Sequence, residues 1–129
     1  MAKTTVTDAM AARLVANFSS APILGLNADM THPDDGSSWV RLEFPFAENV
    51  RTTLGSTYRE RGTARIVVAT AIASGLSTSM SLCEEIAAIF RGHISGGLEC
   101  EAPTIREGID DGSYFIASVM IPYRFEYAD

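Results

Sequence analysis

The first hydrophobic pattern along the chain has helical spacing. One predicted helical face carries the apolar residues Val6, Met10, Leu14, Val15 and Phe18. Thr5, with Asp8 three residues later, has the form of a capping box at the start of a helix. We therefore predict a helix from about Thr5 to Phe18, ended by the Ala21-Pro22 step. The stretch from there to Ser38 is rich in turn-forming residues and predicts an irregular loop, in which Ile23 to Leu26 could form a short extended piece.

From Trp39 the pattern changes to alternation, which is typical of a strand with one buried face. One predicted face carries Val40, Leu42, Phe44 and Phe46, and the other carries Trp39, Arg41 and Glu43. A second, longer strand is predicted from about Thr57 to Ala71. The residues between them, Ala47 to Ser56, are too many for a tight hairpin turn, so we expect a projecting loop.

A wide apolar stripe then predicts the strongest helix of the chain, opened by Gly75 and Ser77. Gly92 and the pair Gly96-Gly97 are expected to end it, because glycine is favoured where a helix terminates. His93 lies just beyond Gly92. An imidazolium there would meet the carbonyl end of the helix dipole, so we expect His93 to cap the helix.

Two further strands complete the pattern, from Leu98 to Ile105 and from Tyr114 to Tyr127, with a turn at Asp110-Asp111-Gly112. The predicted order is therefore helix, strand, strand, helix, strand, strand, or α-β-β-α-β-β. It indicates an α+β fold in a single domain, residues 1–129, in which antiparallel sheet strands pack with two helices. At 129 residues the chain is long enough to hold one core without disulfides or metals.

The last strand leaves one question about its second face. Ile116 and Met120 lie opposite the face of Val119 and Ile121. Either the two helices divide the two faces of the sheet between them, or this apolar remainder is covered by another subunit. The pattern alone leaves both interpretations open.

The charge of the chain narrows the range of partners. Its formal net charge is -6 and its pI is about 4.8, the opposite of the basic surface that binds nucleic acid phosphates. Sequence-specific DNA binding is therefore not expected. No apolar run approaches the roughly 18 residues that a membrane span requires, so no membrane insertion is expected either.

Candidate catalytic and metal-binding residues are few. His32, near Asp29, Asp34 and Asp35, does not follow the order of a calcium loop. Cys83 and Cys100 lack metal-type spacing and are expected to be buried thiols. The glycine, lysine and serine motifs of common nucleotide-binding and hydrolytic sites do not occur. We expect no metal, no cofactor and no enzymatic activity.

The arginines on the strands are more informative about function than these candidate catalytic and metal-binding residues. Arg59, Arg61 and Arg65 fall on one face of the second strand, and Arg41 lies on the outer face of the strand before it. They could form an ordinary solvated face in which Glu43 offsets their mutual repulsion. They could instead bind carboxylates of a neighbouring subunit. With Ile116 and Met120, these four arginines are our candidate subunit-contact residues.

Several short motifs occur in an order that resembles a phage family. The pieces are Pro22-Ile23, Asn27, Pro33, Trp39-Val40-Arg41, Gly55, Tyr58 to Gly62, Gly75 and Phe90-Arg91. They resemble the small tail terminator, or tail completion, proteins of long-tailed bacteriophages and prophages. The resemblance spans most of the chain, except His93 to Asp111, which carries little that matches.

The resemblance implies a structural role in the virion. Several copies, usually six, would close into a ring on the head-proximal end of the tail tube, stop its growth and present a surface to the head connector. The protein would be made in the host cytoplasm, need no cofactor, and let DNA pass through the ring without specific binding. Two alternatives stay open: another head-tail joining or tail tube subunit, and a small-molecule-binding α+β module or small enzyme.

Overall fold

The structure is a computed structural model that describes residues 4–24, 38–51, 57–71, 75–110 and 114–128. Two helices and seven strands lie in these ranges. In chain order they are α1 (Thr4–Asn17), β1 (Ile23–Leu24), β2 (Trp39–Arg51), β3 (Thr57–Ala71), α2 (Gly75–Phe90), β4 (Ile94–Ser95), β5 (Leu98–Cys100), β6 (Thr104–Asp110) and β7 (Tyr114–Ala128). The α+β class is confirmed. The extended piece suggested at Ile23 to Leu26 begins with β1. The predicted order α-β-β-α-β-β is too simple, because it does not count β1, omits β4 and merges β5 with β6.

All seven strands belong to one sheet, built around the long antiparallel pair of β3 and β7. On one side β2 pairs with β3, and β1 lies beyond it. On the other side β6 and β5 pair with successive parts of β7, and β4 pairs with β5. Every pair is antiparallel except that of β1 with β2, which is parallel. The prediction of an antiparallel sheet is therefore wrong at this edge, where β1 pairs with β2 in parallel.

Both helices pack into one main core. Its buried residues include Val6, Met10, Leu14 and Phe18 of α1, Cys83, Ile86, Ala87 and Phe90 of α2, and inner-face residues of the sheet such as Val40, Ile66 and Val119. A second, smaller cluster contains Leu24, Trp39, Ala69 and Tyr114 and no residue of either helix. The helices therefore do not divide the two faces of the sheet between them. The second face is lined with charged side chains, which an apolar helix stripe could not cover favourably.

The loop predicted from Ala47 to Ser56 is wrong in its first half, because β2 continues to Arg51. Cross-strand pairing sustains the strand there: Glu48 lies opposite Arg61, and Asn49 lies opposite Glu60. The Tyr127 hydroxyl also donates a hydrogen bond to Asn49 Oδ1 at 2.8 Å. These contacts come from distant residues and outweigh the weak strand preference of the local sequence. The rest of the predicted loop, residues 52–56, lies outside the described residues.

A β-bulge between Glu43 and Phe46 changes the faces of β2. Pro45 lies in this interval and has no backbone N–H to donate, and bulges are among the few places where a sheet accepts proline. The extra residue puts Phe46 opposite Thr63, on the second face of the sheet. The prediction that Phe46 shares the core face with Phe44 is therefore wrong, and Phe46 is 56% exposed.

The predicted third strand, Leu98 to Ile105, is two strands. β5 ends at Cys100 and β6 begins at Thr104, with Pro103 in the break between them. Gly92, with φ 69°, follows α2 as predicted. Gly96 and Gly97 do not end the helix; they join β4 to β5, with φ values of 55° and 89°. Two successive positive φ angles are what a two-residue type I′ hairpin turn requires.

Candidate functional site

Among the described residues, no helix packs against one face of the sheet; this face is the candidate interaction surface, and we call it the outer face. Directly opposite residues of an antiparallel pair share a face. Arg65 lies opposite both Glu43 and Met120, and Ala69 lies opposite Ile116. The same register brings all the predicted contact residues to the outer face: Arg41, Arg59, Arg61, Arg65, Ile116 and Met120.

Two of the four arginines share Glu43. The Nε and NH2 atoms of Arg65 lie 2.8 and 2.7 Å from Glu43 Oε1. Arg41 NH1 lies 3.8 Å from Glu43 Oε2, and the Arg41 guanidinium also stands over the Trp39 ring, 5.1 Å from its centroid. Glu43 thus offsets the repulsion between these arginines, as the alternation of charges on the two strands predicted.

Two further ion pairs continue across the outer face. Arg59 NH2 lies 2.7 Å from Glu126 Oε1, and Arg124 NH2 lies 2.6 Å from Glu99 Oε2. The hydrogen bond and charge of Glu99 raise the pKa of Arg124. Pairs as exposed as these contribute little to stability, because solvent screens them. Their main effect is to neutralise the arginine row within one subunit.

Arg61 differs from Arg41, Arg59, Arg65 and Arg124, each of which has a carboxylate within 4 Å. It lies opposite Glu48 on one side and Arg124 on the other. Its side chain is exposed and forms no ion pair or hydrogen bond with any described residue. Because Arg124 is bound to Glu99, the row around Arg61 keeps one guanidinium that no carboxylate of the described residues holds.

The apolar residues of the outer face form two groups. Ile116 packs against the small cluster that contains Trp39 and Tyr114, whose rings meet edge to face at 5.9 Å. Nearer the Arg51 end of β2, Phe46 and Val50 are 56% and 48% exposed. Sequence reasoning missed both, since it put Phe46 in the core and Val50 in a loop. Pro45 is the feature of the sequence that could have indicated the bulge.

A buried carboxylate on the inner face also escaped prediction. Glu60 is fully buried on β3, and the Tyr123 hydroxyl donates a 2.6 Å hydrogen bond to its Oε2 atom. Gly62 makes room for this contact, since a Cβ there would lie 2.7 Å from the Tyr123 hydroxyl oxygen. Burial, together with the Glu60 carboxylate, raises the pKa of Tyr123. The pair is thus a satisfied polar contact inside the core.

At the end of α2, the expected capping role of His93 is wrong. Arg13 of α1 provides the cation there, because its Nε atom donates a 2.7 Å hydrogen bond to the carbonyl oxygen of Ile89. Partial burial and the charge of Arg13 lower the pKa of His93. The imidazolium form is therefore disfavoured at the position where the dipole argument expected it.

The described residues include no group of three or more His, Cys, Asp and Glu placed to hold a metal ion. The loop residues Asp29 and His32 lie outside the described ranges. Burial raises the pKa of both thiols, Cys83 and Cys100, to about 11. Among the described helices, none has both the length and the apolar character to cross a membrane.

Comparison with known proteins places this fold in a family. No curated protein matches the sequence significantly. One solved structure, which carries no descriptive name, matches with 19% identity and a TM-score of 0.72, covering 100% of this chain and 99% of the other. A family model described as phage tail terminator protein matches residues 5–123. The chain therefore belongs to the phage tail terminator protein family, whose members are structural rather than enzymatic proteins of the virion tail.

Proposed function

We propose that six copies of this chain close into a ring on the head-proximal end of the tail tube. The ring ends tube polymerisation and provides the joint to the head connector. The observation that carries the proposal is the outer face: one whole side of the sheet has no helix packed against it among the described residues, yet holds apolar side chains. A face of this kind is expected to meet a partner.

Within the ring, we assign the subunit contact to the outer-face residues Arg41, Arg59, Arg61, Arg65, Ile116 and Met120. The ion pairs within one chain indicate which of these arginines is most readily available to a neighbouring subunit. Arg41, Arg59 and Arg65 already have carboxylates within 4 Å of their guanidinium groups in the same chain. Each would have to leave or share that partner to bind another subunit. Arg61 has no carboxylate partner among the described residues, so it is the first candidate for an ion pair between subunits.

The charge of the chain supports passage of DNA through the ring without specific binding. Each copy carries a formal net charge of -6, so a ring of copies repels phosphates at its surface unless its basic side chains are concentrated there. Four outer-face arginines, Arg41, Arg59, Arg65 and Arg124, lie within 4 Å of carboxylates of the same chain. A ring with this charge is expected to show no tight duplex binding at physiological salt.

Two other functions remain as alternatives. A tail tube subunit or another head-tail joining protein could share this α+β fold, but a tube subunit must stack on itself without limit. A small-molecule-binding module or small enzyme would need convergent polar groups around a pocket. The buried Glu60 and Tyr123 bind each other, so they do not favour that alternative.

Tube polymerisation in vitro tests the proposal. Purified tail tube protein should stop growing when this chain is added, and the chain should be found at one end of each tube. Arg61→Glu should weaken this capping. Arg91→Glu, the same charge change at an exposed residue after α2, is the matched control and should cap normally. If the chain instead polymerises alone into long tubes, or leaves tube length unchanged, the terminator function is wrong.

A further inference from the structure

We infer that subunits of the ring meet head to tail, with the outer face of one copy against helix α1 of the next. The outer-face patch consists of Phe46, Val50 and Arg61, and we call it the distal strip. The partner patch consists of Asp8, Ala12 and Val15 on α1, and we call it the helix strip. This inference rests on the proposed ring and names the surfaces that close it.

The distal strip combines exposed apolar side chains with a cation that has no ion pair among the described residues. Phe46 and Val50 are 56% and 48% exposed and occupy alternate outward positions of β2. Arg61 lies on the neighbouring strand β3, opposite Glu48, which is the outward residue between Phe46 and Val50. Although Glu48 is also exposed, no ion pair joins it to Arg61. The guanidinium is thus available to a carboxylate from outside the subunit.

The helix strip has the complementary character. Asp8, Ala12 and Val15 recur at the spacing of one helical face and are all exposed, with Val15 at 53%. The other charged residue of α1, Arg13, is turned towards the end of α2, where it binds the Ile89 carbonyl. Asp8 forms no ion pair or hydrogen bond with a described residue. The helix strip therefore presents, beside apolar surface, a carboxylate that has no partner among the described residues.

The two strips also match in dimensions. Asp8 and Val15 are seven residues apart, or about 10 Å along the helix axis. On the sheet, Arg61 lies about 8 Å from both Phe46 and Val50, given the usual spacing of residues along and between strands. An extended arginine side chain covers the remaining difference. Val15 can therefore contact the apolar part of the distal strip while Asp8 binds Arg61.

The positions of the strips decide the symmetry of the contact. The distal strip lies on the face of the sheet away from the main core, whereas the buried side of α1 packs into that core and its exposed side faces away from it. A contact between two different patches is heterologous and, where the rotation closes, generates a ring. A symmetric contact of two distal strips would instead bring two Arg61 guanidinium groups together, which their charge opposes.

Charge reversal on each strip provides the test. Arg61→Glu and Asp8→Lys each place like charges across the contact and should raise its dissociation constant by about tenfold or more. Native mass spectrometry over a concentration series measures the loss of rings. Both positions are exposed, so circular dichroism should show an unchanged fold. Glu84→Lys, at an exposed acid of α2, is the matched control and should assemble as the wild type does.

Mixing the two variants distinguishes head-to-tail contact from any other arrangement. Each single variant keeps one wild-type strip, so an equimolar mixture of Arg61→Glu and Asp8→Lys chains can pair opposite charges at every contact. Rings should return, with the two variants in equal numbers. If both single variants form rings at wild-type concentrations, or the mixture fails to restore them, this contact is wrong while the ring itself stands. A wild-type chain that stays monomeric in solution and on tube ends would overturn the ring and this contact together.

Discussion

Glu60 and Tyr123 show most directly how single residues hold this sheet together. The Tyr123 hydroxyl donates a 2.6 Å hydrogen bond to the fully buried carboxylate of Glu60. Tyr123→Phe should lower the free energy of unfolding by about 1–3 kcal/mol, because a buried acceptor loses a donor. Urea denaturation measures the change. Tyr127→Phe, which removes an exposed hydroxyl bonded to Asn49, is the control and should cost less than about 1 kcal/mol. Equal losses of unfolding free energy in the two variants would show that the buried hydrogen bond stabilises the fold no more than the exposed one.

The buried thiols give the chain a dependence on alkaline pH. Burial raises the pKa of Cys83 and of Cys100 from 9.0 to about 11. The folded chain thus holds these protons more tightly than the unfolded chain does. Their contribution to stability is fully present below pH 9 and is lost as the pH rises from about 9 to 11.

The double variant Cys83→Ala with Cys100→Ala should therefore lose less stability than the wild type over the same interval. Urea midpoints at pH 8, 9, 10 and 11 would give the two curves. Burial also raises the pKa of Tyr123, so both proteins lose some further stability at the highest pH values. Parallel curves for the two proteins would contradict the assignment to the thiols.

At the scale of elements, the bulge in β6 depends on a glycine. The register between β6 and β7 shifts between Arg106 and Ile109, and a Cβ at Gly108 would lie 0.8 Å from the Ile116 carbonyl oxygen. Gly108→Ala must therefore separate the two strands and should cost about 3 kcal/mol or more.

Thermal or urea unfolding of the Gly108→Ala variant measures this cost. Gly96→Asn is the control, because nothing lies within 4 Å of a Cβ at Gly96 and asparagine tolerates the positive φ of 55°. The control should change the free energy of unfolding by less than about 1 kcal/mol. Wild-type stability in the Gly108→Ala variant would show that β6 does not hold the described register.

Sequence periodicity predicted the elements whose own residues determine them. α1, α2, β3 and β7 carry long, regular apolar patterns and were located to within a residue or two. The extension of β2 from Ala47 to Arg51 could not be predicted, because Glu48 and Asn49 are poor strand residues that are held by partners on β3 and β7. The break before Thr104 was missed although Pro103 marks it.

The candidate site was predictable in part for the same reason. Alternation alone placed Arg59, Arg61 and Arg65 on one face, and the register confirms that they share it. Which arginine lacks a partner depends on where Glu43, Glu99 and Glu126 fall across the sheet. That requires strand order and register, which local pattern does not contain. The exposure of Phe46 follows from a bulge and was likewise out of reach of strict alternation.

At the scale of the whole molecule, the two faces of the sheet differ. One face and both helices form the main core, whereas no helix packs on the other face among the described residues. Membership of the tail terminator family implies that the chain meets tail tube and head components. A subunit with different surfaces on its two sides suits a closed ring in which each copy meets its two neighbours through different patches.

The mass of the assembled protein tests the central claim most directly. Native mass spectrometry of the purified chain, 13.9 kDa per copy, should be recorded over a concentration series, alone and with tail tube ends. The ring predicts a species of six copies, in solution or bound at tube ends, and no open series of larger assemblies. A chain that remains a monomer or dimer under both conditions would contradict the account.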